Sequence, residues 1–244
     1  MLKRTLLATA VASTLATGAS IANAESAWST SANVALTTEY RFRGISQSNE
    51  NPAIQGGFDV AHESGFYIGT WGSTVDFDFS EADGGYNGSL ELDYYAGYGA
   101  EINDDWSWDI GYMYYDYPGD EGDEGDYQEI YGSIAWKDLT VGFAASDDYY
   151  AETDEFYYVY ADYSISLPNE FALDLHVGLN NLEEDGGFLS SDEDQYVDYS
   201  VTISRDFAGL NFGISYIGTD LDDDDVFGTD WADDVVTATI SASF

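Results

Sequence analysis

The basic residues of this sequence are few and stand among many acids, which makes them the first candidates for chemistry. The chain of 244 residues has 47 Asp and Glu but only 6 Lys and Arg. Arg41 and Arg43 stand two positions apart in the stretch YRFRG. Arginines held among carboxylates either offset like-charge repulsion or form the positive side of a constriction that orients small polar solutes. Which interpretation applies depends on the elements that hold the two arginines.

Catalytic chemistry has little support. The two histidines are His62, two residues before Ser64, and His176. The sequence contains neither the Gly-x-Ser-x-Gly elbow of a hydrolase nor a His-Glu-x-x-His zinc helix. It also has no Cys, which excludes disulfides and thiolate chemistry. We therefore predict that the protein is not an enzyme and has no cofactor.

Two acidic runs are rich in oxygen ligands, PGDEGDEGDY (118–127) and DLDDDD (220–225). Neither has the twelve-residue spacing and closing Glu of a calcium loop. They predict weak, exchangeable binding of Ca²⁺ or Mg²⁺, or simply solvated loops, and no defined metal site. Nucleic acid is excluded as a partner because so few cations cannot neutralise a phosphate backbone.

The first 24 residues indicate export. Lys3 and Arg4 precede an apolar stretch that ends in Ala22-Asn23-Ala24, which is typical of a secretory signal peptide. We expect cleavage before Glu25, with residues 25–244 forming one domain.

Alternation of apolar and polar residues with a period of two dominates the rest of the chain. An aromatic content of 16% argues against an acidic disordered protein. Twelve segments predict strands, most of them close to the ~9–11 residues that cross a bilayer when tilted. They are Ala32–Arg43, Ala53–His62, Phe66–Ser73, Ser89–Gly99, Trp106–Tyr115, Tyr127–Trp136, Leu139–Ser146, Tyr157–Ile165, Phe171–Leu179, Tyr196–Ser204, Leu210–Ile217 and Val235–Phe244.

The connections between these strands alternate in length. They are long after odd-numbered strands and tight after even-numbered ones, and the six long connections hold 30 of the 47 acids. Short periplasmic turns, long extracellular loops and an even strand count are typical of an outer-membrane barrel. A soluble β-sandwich also alternates, but it does not require loop lengths ordered by side. The predicted fold is an all-β, transmembrane, antiparallel up-and-down barrel of about twelve strands.

Aromatic residues at the strand ends predict two interfacial girdles. Phe66, Trp106, Trp136 and Phe171 fall at the periplasmic ends, and Tyr40, Phe42, Tyr114, Tyr157 and Tyr216 fall at or near the opposite ends. The final strand carries apolar side chains at every second position from Val236 to Phe244. We expect this face to contact outer-membrane lipid and the strand to pair with the first, because a bilayer does not tolerate an open sheet edge.

The polar face of the strands carries nine carboxylates and both arginines. We predict that these residues line a pore, and they are Glu39, Arg41, Arg43, Asp59, Glu91, Asp93, Asp109, Glu129, Asp162, Asp174 and Asp198. Eight strands leave an interior filled by side chains and sixteen leave an aqueous channel, so twelve predict a narrow pore. Because acids outnumber bases on this face, the pore should prefer cations.

The stretch EYRFRGISQSNENPAIQGGFDVAHESGFYIGTWGSTVDF (39–77) resembles the opening of the TorF family of outer-membrane porins, and its most specific part is YRFRGISQS. The resemblance continues to the C-terminus. It implies a small barrel in the outer membrane of a Gram-negative bacterium. A terminal Phe such as Phe244 is similar to the signal by which such barrels meet their assembly machinery, which makes that machinery an expected partner.

Two functions follow from the sequence. The first is a porin that lets small polar solutes or cations diffuse through the outer membrane. The second is a non-conducting surface barrel that acts through its acidic loops as an adhesin, a receptor or a binder of divalent cations. Conductance across a bilayer distinguishes the two.

Overall fold

Twelve long antiparallel strands close into a barrel in the computed structural model, which describes residues 27–77, 88–119, 125–183 and 188–244. The predicted signal peptide and parts of three long connections lie outside the described residues. The strands of the barrel are β1 (Trp28–Thr37), β4 (Ala53–His62), β5 (Phe66–Thr74), β6 (Leu90–Asn103), β7 (Trp106–Asp116), β8 (Tyr127–Trp136), β9 (Leu139–Ser146), β10 (Phe156–Leu167), β11 (Phe171–Asn181), β12 (Gln195–Phe207), β13 (Leu210–Thr219) and β14 (Val235–Ser243). The remaining two, β2 (Arg41–Phe42) and β3 (Ile45–Ser46), form a separate small hairpin.

The topology is up-and-down, because every barrel strand pairs with the next barrel strand along the chain. The last strand, β14, closes the barrel against β1, with Leu36 opposite Ile240. Closure leaves no unpaired sheet edge, which is the condition for backbone placed in hydrocarbon. The predicted fold class and the predicted pairing of the first and last strands are confirmed.

The first predicted strand, Ala32–Arg43, is wrong in its bounds. In the structure β1 begins four residues earlier and ends at Thr37, and the chain then leaves the barrel wall. Apolar and polar residues continue to alternate through YRFR because this stretch enters a second, shorter hairpin, whose strands have the same period of two. Tyr40 and Phe42 therefore belong to the interior and not to an aromatic girdle, and Arg41 and Arg43 do not extend from a wall strand.

The two faces of the wall differ as the alternation predicts. Large apolar side chains point outward and are exposed, for example Ile54 at 61%, Val236 at 65% and Ile214 at 56%. Aromatic side chains lie at both rims, with the rings of Trp106 and Trp136 6.2 Å apart at the end of the short turns. An apolar outer band with aromatic rims is typical of a barrel that crosses a bilayer.

The ends of the barrel are unequal. The tight connections span residues 63–65, 104–105, 137–138, 168–170 and 208–209, and the long ones span 38–52, 75–89, 117–126, 147–155, 182–194 and 220–234. Strand β12 runs three residues beyond its predicted end, so Arg205 lies at the rim of the short turns, 5.1 Å above the ring of Phe171. In the described part of the chain, no helix is long and apolar enough to cross a membrane.

Candidate functional site

A short hairpin folds inside the barrel between β1 and β4, and residues Glu39 to Ser48 of this inner hairpin are buried or half-buried. Its turn consists of Arg43 and Gly44, whose φ angles are +48° and +84°. Two successive positive φ values define the tight turn that suits a two-residue hairpin. At Gly44 a Cβ would lie 2.3 Å from Cγ2 of Thr219, so only glycine fits at this point.

The inner hairpin crosses the lumen. On one side the hydroxyl of Tyr40 donates to Oε1 of Glu91 on β6, at 3.1 Å. On the other side Gly44 lies against Asp198 of β12 and Thr219 of β13. Strands β6 and β12 are six positions apart in the order of twelve, which places them on opposite walls. The hairpin therefore bridges the barrel across its width, at the end that carries the long connections.

Arg43 fixes the hairpin to the wall through a bidentate ion pair. Its Nη1 and Nη2 donate to the two carboxylate oxygens of Glu129 on β8, at 2.7 and 2.9 Å. Both side chains are almost fully buried, with 6% and 3% exposed. The guanidinium also lies 4.5 Å from the ring centres of both Phe156 and Tyr158. Parallel N–H···O bonds together with aromatic faces are the contacts that favour Arg over Lys.

Arg41 holds the base of the hairpin. Its Nε lies 2.5 Å from Oε1 of Glu39 in a buried ion pair, although the angle is not that of a hydrogen bond. Its Nη1 donates to the backbone oxygens of Gly44, at 3.0 Å, and of Trp231. The backbone N–H of Ser46 donates to the same Trp231 oxygen at 2.9 Å. The long connection before β14 is thus attached to the inner hairpin.

Two carboxylates beside the hairpin have no basic partner among the described residues. Glu91 and Asp93 lie two positions apart on the inward face of β6, and they are 1% and 0% exposed. Neither oxygen of Asp93 has a hydrogen-bond partner, and Oε2 of Glu91 has none. Among the described residues, Asp93 therefore has neither a hydrogen bond nor an ion pair, and Glu91 has only the bond from Tyr40.

Further from the hairpin, tyrosine rings lie flat against the inner wall of the barrel, and their hydroxyls donate hydrogen bonds to carboxylates. Tyr67 donates to Oδ1 of Asp109 at 2.8 Å and is bonded to the hydroxyl of Tyr131 at 2.8 Å. Tyr95 donates to Oδ1 of Asp59 at 2.5 Å. Each flat ring covers a glycine on the neighbouring strand where a Cβ would collide with it. The tyrosine and glycine pairs are Tyr95 with Gly69, Tyr67 with Gly97, Tyr131 with Gly111, Tyr160 with Gly142 and Tyr158 with Gly178.

The inward histidine sits between two carboxylates. Nδ1 of His176 is 2.6 Å from Oδ1 of Asp162, and Nε2 is 2.8 Å from Oδ1 of Asp198. Ionised carboxylates only accept hydrogen bonds, so both ring nitrogens must donate, and only the imidazolium does so. Asp174 lies two residues before His176 on β11 and instead accepts a hydrogen bond from the hydroxyl of Ser164 at 2.6 Å. His176 is thus a third basic residue of the described interior, bonded also to the hydroxyl of Tyr158 at 2.9 Å, and sequence reasoning did not assign it to the pore.

The structure places the eleven residues of the predicted pore lining in three groups. Glu39, Arg41 and Arg43 belong to the inner hairpin, and Glu91, Asp93 and Glu129 lie buried at its level. Asp59, Asp109, Asp162, Asp174 and Asp198 lie on the inward face below or beside it. The tyrosines that bond these carboxylates were missed. Their signal was present in the sequence, since inward tyrosines and glycines alternate on adjacent predicted strands.

The outer rim at the long connections carries further acids. Asp234 accepts hydrogen bonds from the hydroxyls of Tyr216 and Tyr199, and these bonds lower its pKa. Asp223, Asp230 and Asp233 bring carboxylate oxygens within 4.8 Å of one another, and the repulsion from Asp233 raises the pKa of Asp223. All three are exposed. Buried Tyr149, by contrast, has a pKa raised to about 12 because burial disfavours its charged form.

The other histidine lies apart from this interior. His62 is bonded through Nδ1 to Oγ of Ser64 at 2.9 Å, and its ring packs 4.6 Å from that of Trp28 at the rim of the short turns. Among the described residues no carboxylate orients the imidazole. A serine and a histidine without a third orienting group do not form the triad that activates a nucleophile.

Fold and interior together define a class, the closed up-and-down barrels with an apolar outer band and a polar, charged lumen. A model described as "Bacterial protein of unknown function (Gcw_chp)" matches residues 21–244, and the chain belongs to that family. The TorF name suggested by the sequence resemblance is not confirmed by this match. No curated protein matches the sequence.

Solved porins share the fold. The KdgM porin superposes with a TM-score of 0.55 at 8% identity, covering 88% of this chain and 98% of that one. The NanC porin superposes with a TM-score of 0.56 at 13% identity, covering 87% and 98%. A second KdgM structure, in complex with disordered oligogalacturonate, gives 0.55 at 7% identity over 88% and 98%. These similarities extend over nearly the whole of each porin and concern the fold.

Proposed function

We propose that the protein is a porin-type channel for small polar solutes and ions in the outer membrane of a Gram-negative bacterium. The observation that carries this proposal is the closed barrel whose outside is apolar and whose inside holds polar and ionised side chains. Soluble proteins rarely expose large continuous apolar surfaces to water, so an apolar band around the whole circumference indicates contact with lipid. The porin folds of KdgM and NanC, the resemblance to TorF porins and the predicted signal peptide support the same location.

The channel should prefer cations. The interior cations are each engaged, Arg43 by Glu129, Arg41 by Glu39 and His176 by two aspartates. Other interior carboxylates have no basic partner among the described residues, and these are Asp59, Glu91, Asp93, Asp109 and Asp174. A confined lumen with excess negative charge concentrates cations and excludes anions. An anionic sugar polymer such as the oligogalacturonate in the KdgM structure is therefore a poor candidate solute for this chain.

The inner hairpin should limit conduction. It bridges opposite walls through Tyr40 and Gly44 and is fixed by the Arg43–Glu129 pair. A solute that enters from the long connections must pass beside the hairpin or displace it. We expect a small conductance in the resting channel, with larger steps when the hairpin leaves the lumen.

Planar bilayer recordings test this proposal. Full-length protein, processed by the cell and purified from outer membranes, is added to a bilayer under a KCl gradient. Cation preference is expected as a reversal potential of the sign set by K⁺. Replacing Asp59 and Asp109 by Asn should reduce that potential, whereas replacing Glu63 in a short turn by Gln should not. A reversal potential set by Cl⁻ would contradict the proposed selectivity.

A non-conducting surface barrel is the second candidate, and the bridging hairpin is the observation that favours it. A barrel blocked at this level would act through its long acidic connections. These carry Asp223, Asp230 and Asp233 beside a cleft of about 350 Å³ lined in part by Trp231 and Phe227. A folded protein that shows no current in the wild type or in hairpin variants would favour this function.

Assembly partners follow from the last strand. Val236 and Ile240 are exposed to the expected lipid on the outer face of β14, and Phe244 ends the chain 58% exposed. We propose that the barrel-assembly machinery recognises this strand. Deleting Phe244 should lower the amount of folded barrel in outer membranes, measured by heat-modifiable migration in gels. The matched change Phe244→Tyr, which keeps an aromatic end, should have little effect.

A further inference from the structure

The structure assigns a buried cation site to Glu91 and Asp93, beside the inner hairpin, and we propose that its ligand is a hard divalent cation, Ca²⁺. This site is separate from the exposed acidic connections. It does not depend on whether the barrel conducts.

The first argument is burial without partners. Asp93 is 0% exposed and Glu91 is 1% exposed. Three of their four carboxylate oxygens have no hydrogen-bond partner, and the fourth accepts only from Tyr40. Buried carboxylates are ordinarily paired or bound to a metal, because taking an ion out of water costs several kcal/mol.

The surroundings leave no protein group to fill this role. Across the sheet Asp93 is flanked by Trp71 on β5 and Tyr115 on β7, and the hydroxyl of Tyr115 donates to Glu129 instead. The arginines of the inner hairpin are engaged with Glu129 and Glu39. Among the described residues no Lys, Arg or His forms an ion pair with either carboxylate.

A metal cation fits the oxygens better than a proton. One shared proton would leave one negative charge in a site closed to water, and two protons would remove the charge but still leave carboxyl oxygens without a donor. A divalent cation neutralises both charges and binds several oxygens at once. One neighbour adds a hydroxyl oxygen, since buried Ser73 lies directly opposite Glu91 in the sheet. Carboxylate and hydroxyl oxygens are ligands that Ca²⁺ accepts in flexible geometry.

The site is attached to the hairpin that covers it. Tyr40 donates to Glu91 and stacks edge-on against Trp71, with ring centres 5.6 Å apart. A cation between the two carboxylates would hold Glu91 in place to receive this bond. Bound cation and closed hairpin should therefore stabilise each other.

Calorimetric titration with CaCl₂ tests the site on protein purified from outer membranes and freed of metal by a chelator. The wild type should show one tight site per chain in addition to weak surface binding. The double variant Glu91→Gln, Asp93→Asn should lose the tight site. The matched triple variant Asp223→Asn, Asp230→Asn, Asp233→Asn should keep it while losing weak binding. Loss of the tight site in the triple variant alone would overturn the proposal.

Terbium luminescence gives a second readout that does not require the double variant to fold. Tb³⁺ occupies Ca²⁺ sites and emits when nearby aromatic rings are excited. Trp71 is a neighbour of Asp93 in the sheet, so Trp71→Phe should reduce the Ca²⁺-displaceable emission several-fold, and Trp106→Phe at the distant rim should not. Equal emission from both variants would refute a site at this position. A wild type that takes up a proton near neutral pH but binds no Ca²⁺ tightly would show that the pair shares a proton, which also refutes the metal.

Discussion

Replacing Arg43 by Asn should release the inner hairpin from the barrel wall. The change removes the cation that Glu129 binds, but it leaves an Asn-Gly turn, the sequence most compatible with two positive φ values. Turn formation is therefore preserved or improved while the attachment is lost. Any effect on the channel then reports on the ion pair and not on misfolding of the turn.

The magnitude follows from the burial of the pair. The two side chains are 6% and 3% exposed and joined by two hydrogen bonds. Removing one partner of a buried ion pair costs about 3–5 kcal/mol, because the other charge stays buried and uncompensated. Tyr115 still donates to Glu129 at 3.0 Å, which places the cost near the lower value. About 3 kcal/mol shifts the ratio of hairpin-in to hairpin-out by roughly a hundredfold.

Single-channel recording is the assay. The Arg43→Asn variant should spend far more time in a high-conductance state than the wild type. Glu129→Gln should act in the same direction. The double variant should return toward wild-type closure, since it leaves no orphaned charge. Arg205→Asn is the matched control, because this arginine lies over Phe171 at the rim of the short turns, far from the hairpin. A folded Arg43→Asn barrel with unchanged dwell times would refute the assignment of the hairpin as the element that limits conduction.

Three further predictions concern other parts of the barrel. Gly111→Val should narrow the lumen, because a Cβ at this position would lie 2.3 Å from the hydroxyl of Tyr131 and must push that ring inward. Lower unit conductance in a folded barrel is the expected result, and a larger one would contradict it. His176→Ala should lower the thermal unfolding midpoint and increase cation selectivity, since two interior aspartates lose their shared cation; unchanged selectivity would place these aspartates outside the conduction path. Two tyrosine hydroxyls lower the pKa of Asp234. Its contribution to stability is therefore present above the ordinary Asp pKa of about 3.9 and is lost as pH falls through the lower folded value. Asp234→Asn should remove that part of the acid sensitivity in a series of thermal melts at different pH, and a profile identical to that of the wild type would count against the prediction.

The wall of the barrel could be predicted from sequence because alternation fixes the face of every residue. Three strands, Ala53–His62, Tyr127–Trp136 and Leu139–Ser146, have the predicted bounds in the structure. Their ends are marked by Gly, Pro or charged turn residues, and a shift by one position would have moved every apolar side chain to the wrong face.

The inner hairpin could not be predicted by the same rule. Tyr40 and Phe42 keep the period of two after β1 ends at Thr37, so the local pattern does not distinguish a longer strand from a new one. The Arg43-Gly44 turn was the available signal, but an arginine at positive φ is uncommon, and it is held there by Glu129 on a distant strand. Contacts between residues far apart in sequence decide this part of the structure.

The flat tyrosines have a consequence for how such a barrel can change over generations. Strand number and tilt set the radius of the backbone cylinder, but the free cross-section inside it depends on how far each ring stands off the wall. That distance is controlled by single glycines on the adjacent strands, among them Gly69, Gly111 and Gly142. A one-residue exchange can therefore alter the calibre of the channel while every backbone hydrogen bond of the sheet stays in place. Sieving and folding are in this way encoded at different positions and can be selected separately.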